Sequence, residues 1–235
     1  MRAIFATLLA LLTLAAPAAA QDYDTEEPRW SFAIHGGAGT IRRENMSAEQ
    51  EAEYRAALDA ALEAGSKILR EGGSAQDAVI AAITRLEDDP KFNAGRGAVF
   101  TWDGTIEHDA ALMDGRDRSA GAVTGTSTVR HPILLAREVM RDGRHVFLSG
   151  AGAEEFADRT DLERVPNDWF ETDSRRRALE RLKAEKLSAI DVDHKYGTVG
   201  AVALDMQGNM AAGTSTGGLT GKRWGRIGDA PVIGA

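Results

Sequence analysis

Apolar positions recur along this chain in a few distinct rhythms, and each rhythm predicts a different element. Residues 30–34 (WSFAI) form a short apolar run that stops at His35-Gly36-Gly37-Ala38-Gly39. So brief a run ending in glycines predicts a buried strand leading into a loop. Further on, Tyr54, Leu58, Ala61, Leu62, Ile68 and Leu69 recur at three- and four-residue intervals, which is the stripe of an amphipathic helix. Ser47-Ala48-Glu49-Gln50 supplies a capping box at its start, with Ser47 as N-cap and Gln50 reaching back, and Gly72-Gly73 ends it. Ser74-Ala75-Gln76-Asp77 repeats the capping pattern for a second helix, which turns Val79, Ala82, Ile83 and Leu86 inward. Pro132 suits the first turn of a third helix that stops near Gly143. Strand-like runs occupy residues 98–101 and 145–148. The apolar runs at 199–204 and 210–212 flank Asp205-Met206-Gln207-Gly208-Asn209, a hairpin signal because Gly and Asn tolerate the positive φ of a tight turn.

Two segments break these rhythms. Between residues 171 and 195, 13 of 25 residues are charged, which predicts a solvated helix fading into a flexible linker. At the start, Arg2 precedes an apolar core at residues 4–14 and the small-residue site Ala18-Ala19-Ala20. That pattern reads as a secretory signal peptide over residues 1–20, too short to span a bilayer well. It implies a secreted or periplasmic protein, off the membrane once the signal is cleaved. Composition then removes whole classes of chemistry. The 235 residues contain no cysteine, so thiolate nucleophiles, zinc–thiolate sites and iron–sulfur clusters are excluded together. The net charge of −8, with no long basic run, argues against nucleic acid as a partner.

The candidate chemistry is uneven in strength. The glycine loop after residue 34 has neither G-x-G-x-x-G nor a following Lys-Ser/Thr, so it says only that backbone passes close to something. Histidines 35, 108, 131, 145 and 194 show no helical metal-site spacing, although Glu107, His108, Asp109 and Asp114 offer ligands for a metal-hydrolase alternative. Glu87-Asp88-Asp89 falls where the second helix ends, and negative charge is unfavourable there. A cation or a basic neighbour would offset it, with Lys91 and Arg96 nearest in sequence. The most pointed feature is Lys195-Tyr196-Gly197-Thr198-Val199-Gly200, where a polar linker gives way to a buried strand headed by a hydroxyl residue. If the chain were cut before Thr198, one residue would carry a nucleophilic Oγ and a free α-amine of pKa near 8, able to serve as its base. On those six residues alone, Thr198 as a plain β-branched strand starter is the better reading.

Five segments in order change that balance: Phe32-Ala33-Ile34-His35-Gly36-Gly37-Ala38-Gly39, Phe92-Asn93-Ala94-Gly95-Arg96-Gly97, Gly197-Thr198-Val199-Gly200-Ala201-Val202-Ala203, Thr214-Ser215-Thr216-Gly217-Gly218 and Gly225-Arg226-Ile227-Gly228-Asp229. From about Trp30 to Ala235 the chain closely resembles the isoaspartyl peptidases and plant-type L-asparaginases, which are N-terminal-nucleophile hydrolases. The resemblance implies an α+β fold, a four-layer αββα sandwich, with an α-chain region over residues 21–197 (its charged linker at about 171–197) and a β-chain region beginning at residue 198. It implies autocleavage between Gly197 and Thr198, and then release of aspartate from asparagine or β-aspartyl dipeptides through an acyl-enzyme on Thr198. By the same resemblance Thr216 tunes the nucleophile and Asn93 assists it. Arg226 and Asp229 clamp the α-carboxylate and α-ammonium of the substrate, with Ile227 and Gly228 completing the wall.

No catalytic cofactor is implied. The resemblance does imply a structural sodium ion, held by the main-chain carbonyls of Leu86, Glu87, Asp89, Phe92, Ala94 and Arg96, and a dimer of processed αβ units. Family members continue past the segment matching residues 231–235, including a Thr-Gly segment of the oxyanion hole, so the sandwich is expected to be incomplete here. A glycosylasparaginase-like hydrolase and a truncated, inactive exported domain are the alternatives.

Overall fold

The computed structural model describes residues 29–37, 46–185 and 197–235. The signal-peptide segment, the Ala38-Gly39 end of the glycine loop and linker residues 186–196 lie outside the described residues. In chain order the elements are β1 (Ser31–His35), α1 (Ala48–Arg70), α2 (Ala75–Asp88), β2 (His108–Asp114), β3 (Ala120–Thr126), α3 (Pro132–Asp142), β4 (Phe147–Ser149), α4 (Gly150–Ala157), a 3₁₀ turn (Asn167–Phe170), α5 (Asp173–Ala184), β5 (Val199–Leu204) and β6 (Met210–Thr216).

The helix starts follow their caps. Ser47 Oγ accepts from Gln50 N while Gln50 Oε1 accepts from Ser47 N, so both halves of the box are made. Ser74 Oγ accepts from Asp77 N and donates to Asp77 Oδ2 at 2.7 Å. α3 begins at Pro132 and is closed by Gly143 in the left-handed region at φ 69°. The expected inward residues of α2 are all buried, and Glu87 is buried with them.

Three expectations are corrected. Residues 98–101 form no strand, only single bridges from Phe100 to Ile106 and from Thr101 to Lys222, because Gly95 and Gly97 at φ 49° and 116° coil the chain immediately before them. The strand expected at 145–148 starts two residues later, as β4 parallel to β3. The charged stretch holds a helix, α5, that buries Arg175, Ala178, Leu179 and Leu182, so its inner face is less solvated than composition implied.

Among the described residues there is one six-stranded sheet in the order β1-β5-β6-β2-β3-β4. The chain is thus a mixed α/β fold. The strands that follow Thr198 take central places, β5 antiparallel to β1 and β6 antiparallel to β2. A cut before Thr198 would therefore leave two pieces held by full strand ladders. Helices α1, α2 and α3 cover one face. The other carries Val202 and Met210, 41% and 55% exposed.

The helix layer sits unusually close to the sheet at Gly121. A β-carbon there would lie 2.0 Å from Ala136 O and 2.5 Å from Met140 N, both backbone atoms of α3. Backbone cannot rotate aside, so Gly121→Ala is expected to destabilise the fold by about 3 kcal/mol or more, read as a lower urea midpoint at unchanged m-value.

Candidate active site

The site is built at one end of the β5–β6 hairpin. The ladder pairs Val199 with Ser215, so its next position sets Thr198 against Thr216. Both threonines line a cavity of about 900 Å³ with His35, Arg226, Gly228 and Asp229 on its walls and Ala111, Met113 and Ala212 on the exposed sheet face. The glycines of the flanking segments let backbone close around them. A β-carbon on Gly37 would meet Gly197 N and O at 3.5 Å, so the glycine loop passes against the peptide that precedes Thr198. A β-carbon on Gly200 would sit 2.4 Å from His35 Nε2, so only glycine lets the imidazole lie over β5. Burial lowers the pKa of His35 and keeps it neutral.

Thr216 Oγ1 accepts from Gly218 N at 3.0 Å. Asn93 holds the same turn from below: its Nδ2 donates to Gly218 O at 2.8 Å, its backbone carbonyl accepts from Gly217 N, and its Oδ1 accepts from Val99 N. Asn93 thus meets the turn after Thr216 and is absent from the cavity wall. The loop carrying Arg226 and Asp229 is pinned to the sheet by Thr214 Oγ1 donating to Ala230 O at 2.6 Å. Among the described residues, neither the Arg226 guanidinium nor the Asp229 carboxylate has an ion-pair partner. Opposite charges on one wall suit a zwitterion. Ile227 is 48% exposed and lies off the cavity wall.

The acidic turn after α2 is compensated from another element. His131, the N-cap of α3, places Nδ1 3.3 Å from Glu87 Oε2, and Arg130 lies 3.1 Å from Asp88 Oδ1; Lys91 bridges Asp89 at 2.9 Å. Arg96 instead stacks over Trp169. Glu87 Oε1 also accepts from Ile133 N and from Ser215 Oγ at 2.7 Å, tying α2 to α3 and β6. Burial pushes the Glu87 carboxyl upward in pKa, against the pull of His131, Ser215 and Ile133. The loop packs tightly against itself at its glycines. A β-carbon on Gly95 would lie 2.3 Å from Glu87 O, and one on Gly97 would lie 2.5 and 2.7 Å from Pro90 O and Phe92 O. Glu87 O and Asp89 O accept from Arg96 N and Phe92 N, and each keeps a second lone pair. Main-chain oxygens with a free lone pair are ligands of the kind a hard cation takes.

The histidine–carboxylate group around residue 108 is structural. His108 is fully buried, with Nδ1 3.1 Å from Thr126 O and Nε2 3.2 Å from Gly95 O. Among the described residues no three His, Asp or Glu converge as metal ligands. Desolvation pushes the His108 pKa down to about 4, against the opposing pull of those carbonyls. The folded state therefore binds this proton less well than the unfolded state. The His108 contribution is intact above pH 6.5 and is lost as pH falls from 6.5 towards 4, to a total of about 3 kcal/mol. Urea titrations at pH 7 and 4.5 should show a smaller drop for His108→Gln than for the wild type.

Sequence reasoning missed the Glu87 side chain as a link to Ser215, His131 as its partner, and Asp109 as part of the sheet face. Of these and the cavity-lining His35, the five ordered segments contain only His35 and Ser215. The others lie outside those segments or reach their partners through side chains the pattern does not report.

A sequence model of the family described as Asparaginase matches residues 28–235. The isoaspartyl peptidase of Escherichia coli (strain K12) is 51% identical over 213 residues, covering 87% of this chain and 66% of that protein. The isoaspartyl peptidase/L-asparaginase of Homo sapiens is 46% identical over 204 residues (86% and 65%), and that of Mus musculus 47% over 203 (86% and 61%). The chain thus spans about two thirds of the length of these curated relatives.

Proposed function

The chain belongs to the asparaginase family, and from that membership we propose that it is a self-processing amidohydrolase that releases aspartate from L-asparagine and β-aspartyl dipeptides. The observation that carries this reading is the meeting of Thr198, at the head of β5, with Thr216 and the unpaired Arg226 and Asp229 in one cavity.

Thr198 Oγ attacks the Gly197 carbonyl carbon, the C–N bond breaks, and the peptide becomes an ester with its amine freed. Water hydrolyses the ester, leaving a Gly197 carboxylate and a Thr198 N-terminus. In turnover that α-amine takes the Oγ proton as Oγ attacks the side-chain carbonyl of the substrate. The proton passes to the departing ammonia, or to the amine of the second residue, and water then releases aspartate from the acyl-enzyme. Arg226 takes the α-carboxylate and Asp229 the α-ammonium, with Gly228 beside them. Thr216 steadies Thr198, and Asn93 steadies the Gly217-Gly218 turn.

The same reading extends to features of the fold and setting. The exposed apolar residues Val202 and Met210 suit a second sheet packed against the first, which is the four-layer αββα arrangement. The carbonyls of Leu86, Glu87, Asp89, Phe92, Ala94 and Arg96 hold a sodium ion that braces the loop beneath Asn93 and takes no part in the chemistry. The processed αβ unit pairs with a second copy. Residues 1–20 direct export to the periplasm or beyond.

Intact-mass spectrometry of the protein from its native source, with aspartate release from asparagine, β-aspartyl dipeptides and glycoasparagine, tests the proposal. It predicts a new N-terminus at Thr198 and turnover of the first two substrates. A single uncleaved chain with no aspartate release refutes it. Exchange of sodium for tetramethylammonium should lower the melting temperature by a few degrees at constant ionic strength.

A further inference from the structure

One row across the sheet contains more than the two threonines. Thr198 stands against Thr216, Thr216 pairs with Asp109 of β2, and Asp109 meets Thr124 of β3. Directly paired residues share a face, with β-carbons about 5 Å apart, so Asp109 is the cross-strand neighbour of Thr216 on the cavity side. It is 1% exposed.

Its carboxylate is only half satisfied. The β2–β3 ladder shifts register between His108 and Ala110, and the extra residue on β3 makes a bulge there, with Gly125 at φ 66°. Asp109 Oδ1 fills that bulge, accepting from Thr124 Oγ1 at 2.6 Å and from Gly125 N at 3.2 Å. Oδ2 is buried with no hydrogen-bond partner, which is costly for a carboxylate oxygen. Oδ1 is anchored on β3, while Thr216, the cross-strand neighbour, stands on β6 along the other edge of β2. Thr216 presents the complementary need. Gly218 N donates to one lone pair of Thr216 Oγ1, so its hydroxyl proton requires an acceptor.

Resting on the proposed function, we propose that Asp109 is a positioning residue for catalysis: Oδ2 takes the Thr216 hydroxyl proton and fixes which lone pair Thr216 turns to Thr198. Asp109 touches neither substrate nor nucleophile and acts through Thr216.

Asp109→Asn isolates the effect. The amide oxygen keeps the bonds from Thr124 and Gly125, while an NH₂ donor replaces Oδ2 and faces a hydroxyl that needs an acceptor. We expect kcat to fall between about 10- and 100-fold with KM within about twofold. In a Thr216→Ala background the same change should lower kcat less than about twofold further, since the group it acts through is gone. Effects that multiply, or a folded Asp109→Asn enzyme with wild-type kcat, overturn the proposal. If Asp109→Asn does not fold, Thr124→Val removes the 2.6 Å anchor and should lower kcat, with Thr124→Ser restoring it; wild-type kcat in Thr124→Val overturns it equally. A crystal structure of the wild-type protein supplies an arm independent of turnover. Asp109 Oδ2 within about 3 Å of Thr216 Oγ1 supports the proposal, and a separation beyond about 3.5 Å overturns it, even if asparagine and β-aspartyl peptides prove not to be substrates.

Discussion

Thr198→Ala should yield one uncleaved chain, and its aspartate-releasing activity should fall by on the order of 10⁴-fold or more. In the proposed mechanism the substitution removes the atom that attacks in both reactions, and removal of an enzyme nucleophile costs several orders of magnitude in rate. It leaves β5 in place, because Val199 to Leu204 supply the ladder with β6 and Val199 is fully buried. Melting temperature should therefore change little, which separates lost chemistry from lost folding. Thr198→Ser keeps the hydroxyl and should still be cleaved and turn over, more slowly. Cleavage of the alanine variant at residue 197, seen as two chains by mass spectrometry, would remove Thr198 from its role.

Arg226→Ala has the next largest expected effect. The guanidinium stands at the cavity between Gly218 and Gly228; a β-carbon on either glycine would come within 3.5 Å of Arg226 Nη1. Loss of a charge-assisted, two-pronged grip on a carboxylate should lower kcat/KM for asparagine about 10²-fold. Arg226→Lys should recover part of this, because the charge remains and the fork does not. Chain cleavage should be untouched, since the Gly197 carbonyl reaches Thr198 through its own backbone. A substrate analogue without an α-carboxylate provides the control. Its turnover should be equally slow with wild type and Arg226→Ala, and a further tenfold loss on the analogue would show that Arg226 acts otherwise than as a carboxylate clamp.

The local parts of this fold were legible in the residues. Ser47 with Gln50, and Ser74 with Asp77, announce helix starts because a cap is made within four residues. The β5–β6 hairpin was legible for the same reason, its turn residues lying between two apolar runs. β2 and β3 were not. HDAALMD and AGAVTGT are buried on both faces for most of their length, so no period-two alternation marks them, and small residues carry little strand preference. α4, with glycine at its first and third positions, lacks the helix signal for a related reason.

The candidate site divides along the same line. The order of residues alone puts a hydroxyl residue at the head of a strand behind a polar linker, crowds glycines around it and, through five ordered segments, carries the family resemblance. Which groups meet depends on the folded chain. It set Thr216 beside Thr198 and Asp109 beside Thr216, sent His131 rather than Arg96 to the acidic end of α2, and left Ile227 facing solvent while Arg226 and Asp229 line the cavity. Caps and turns are fixed by neighbours in the chain. Strand register and the contacts of buried side chains join residues far apart in the chain, such as Ser31 with Leu204 and Glu87 with Ser215, and depend on the simultaneous packing of every element between them.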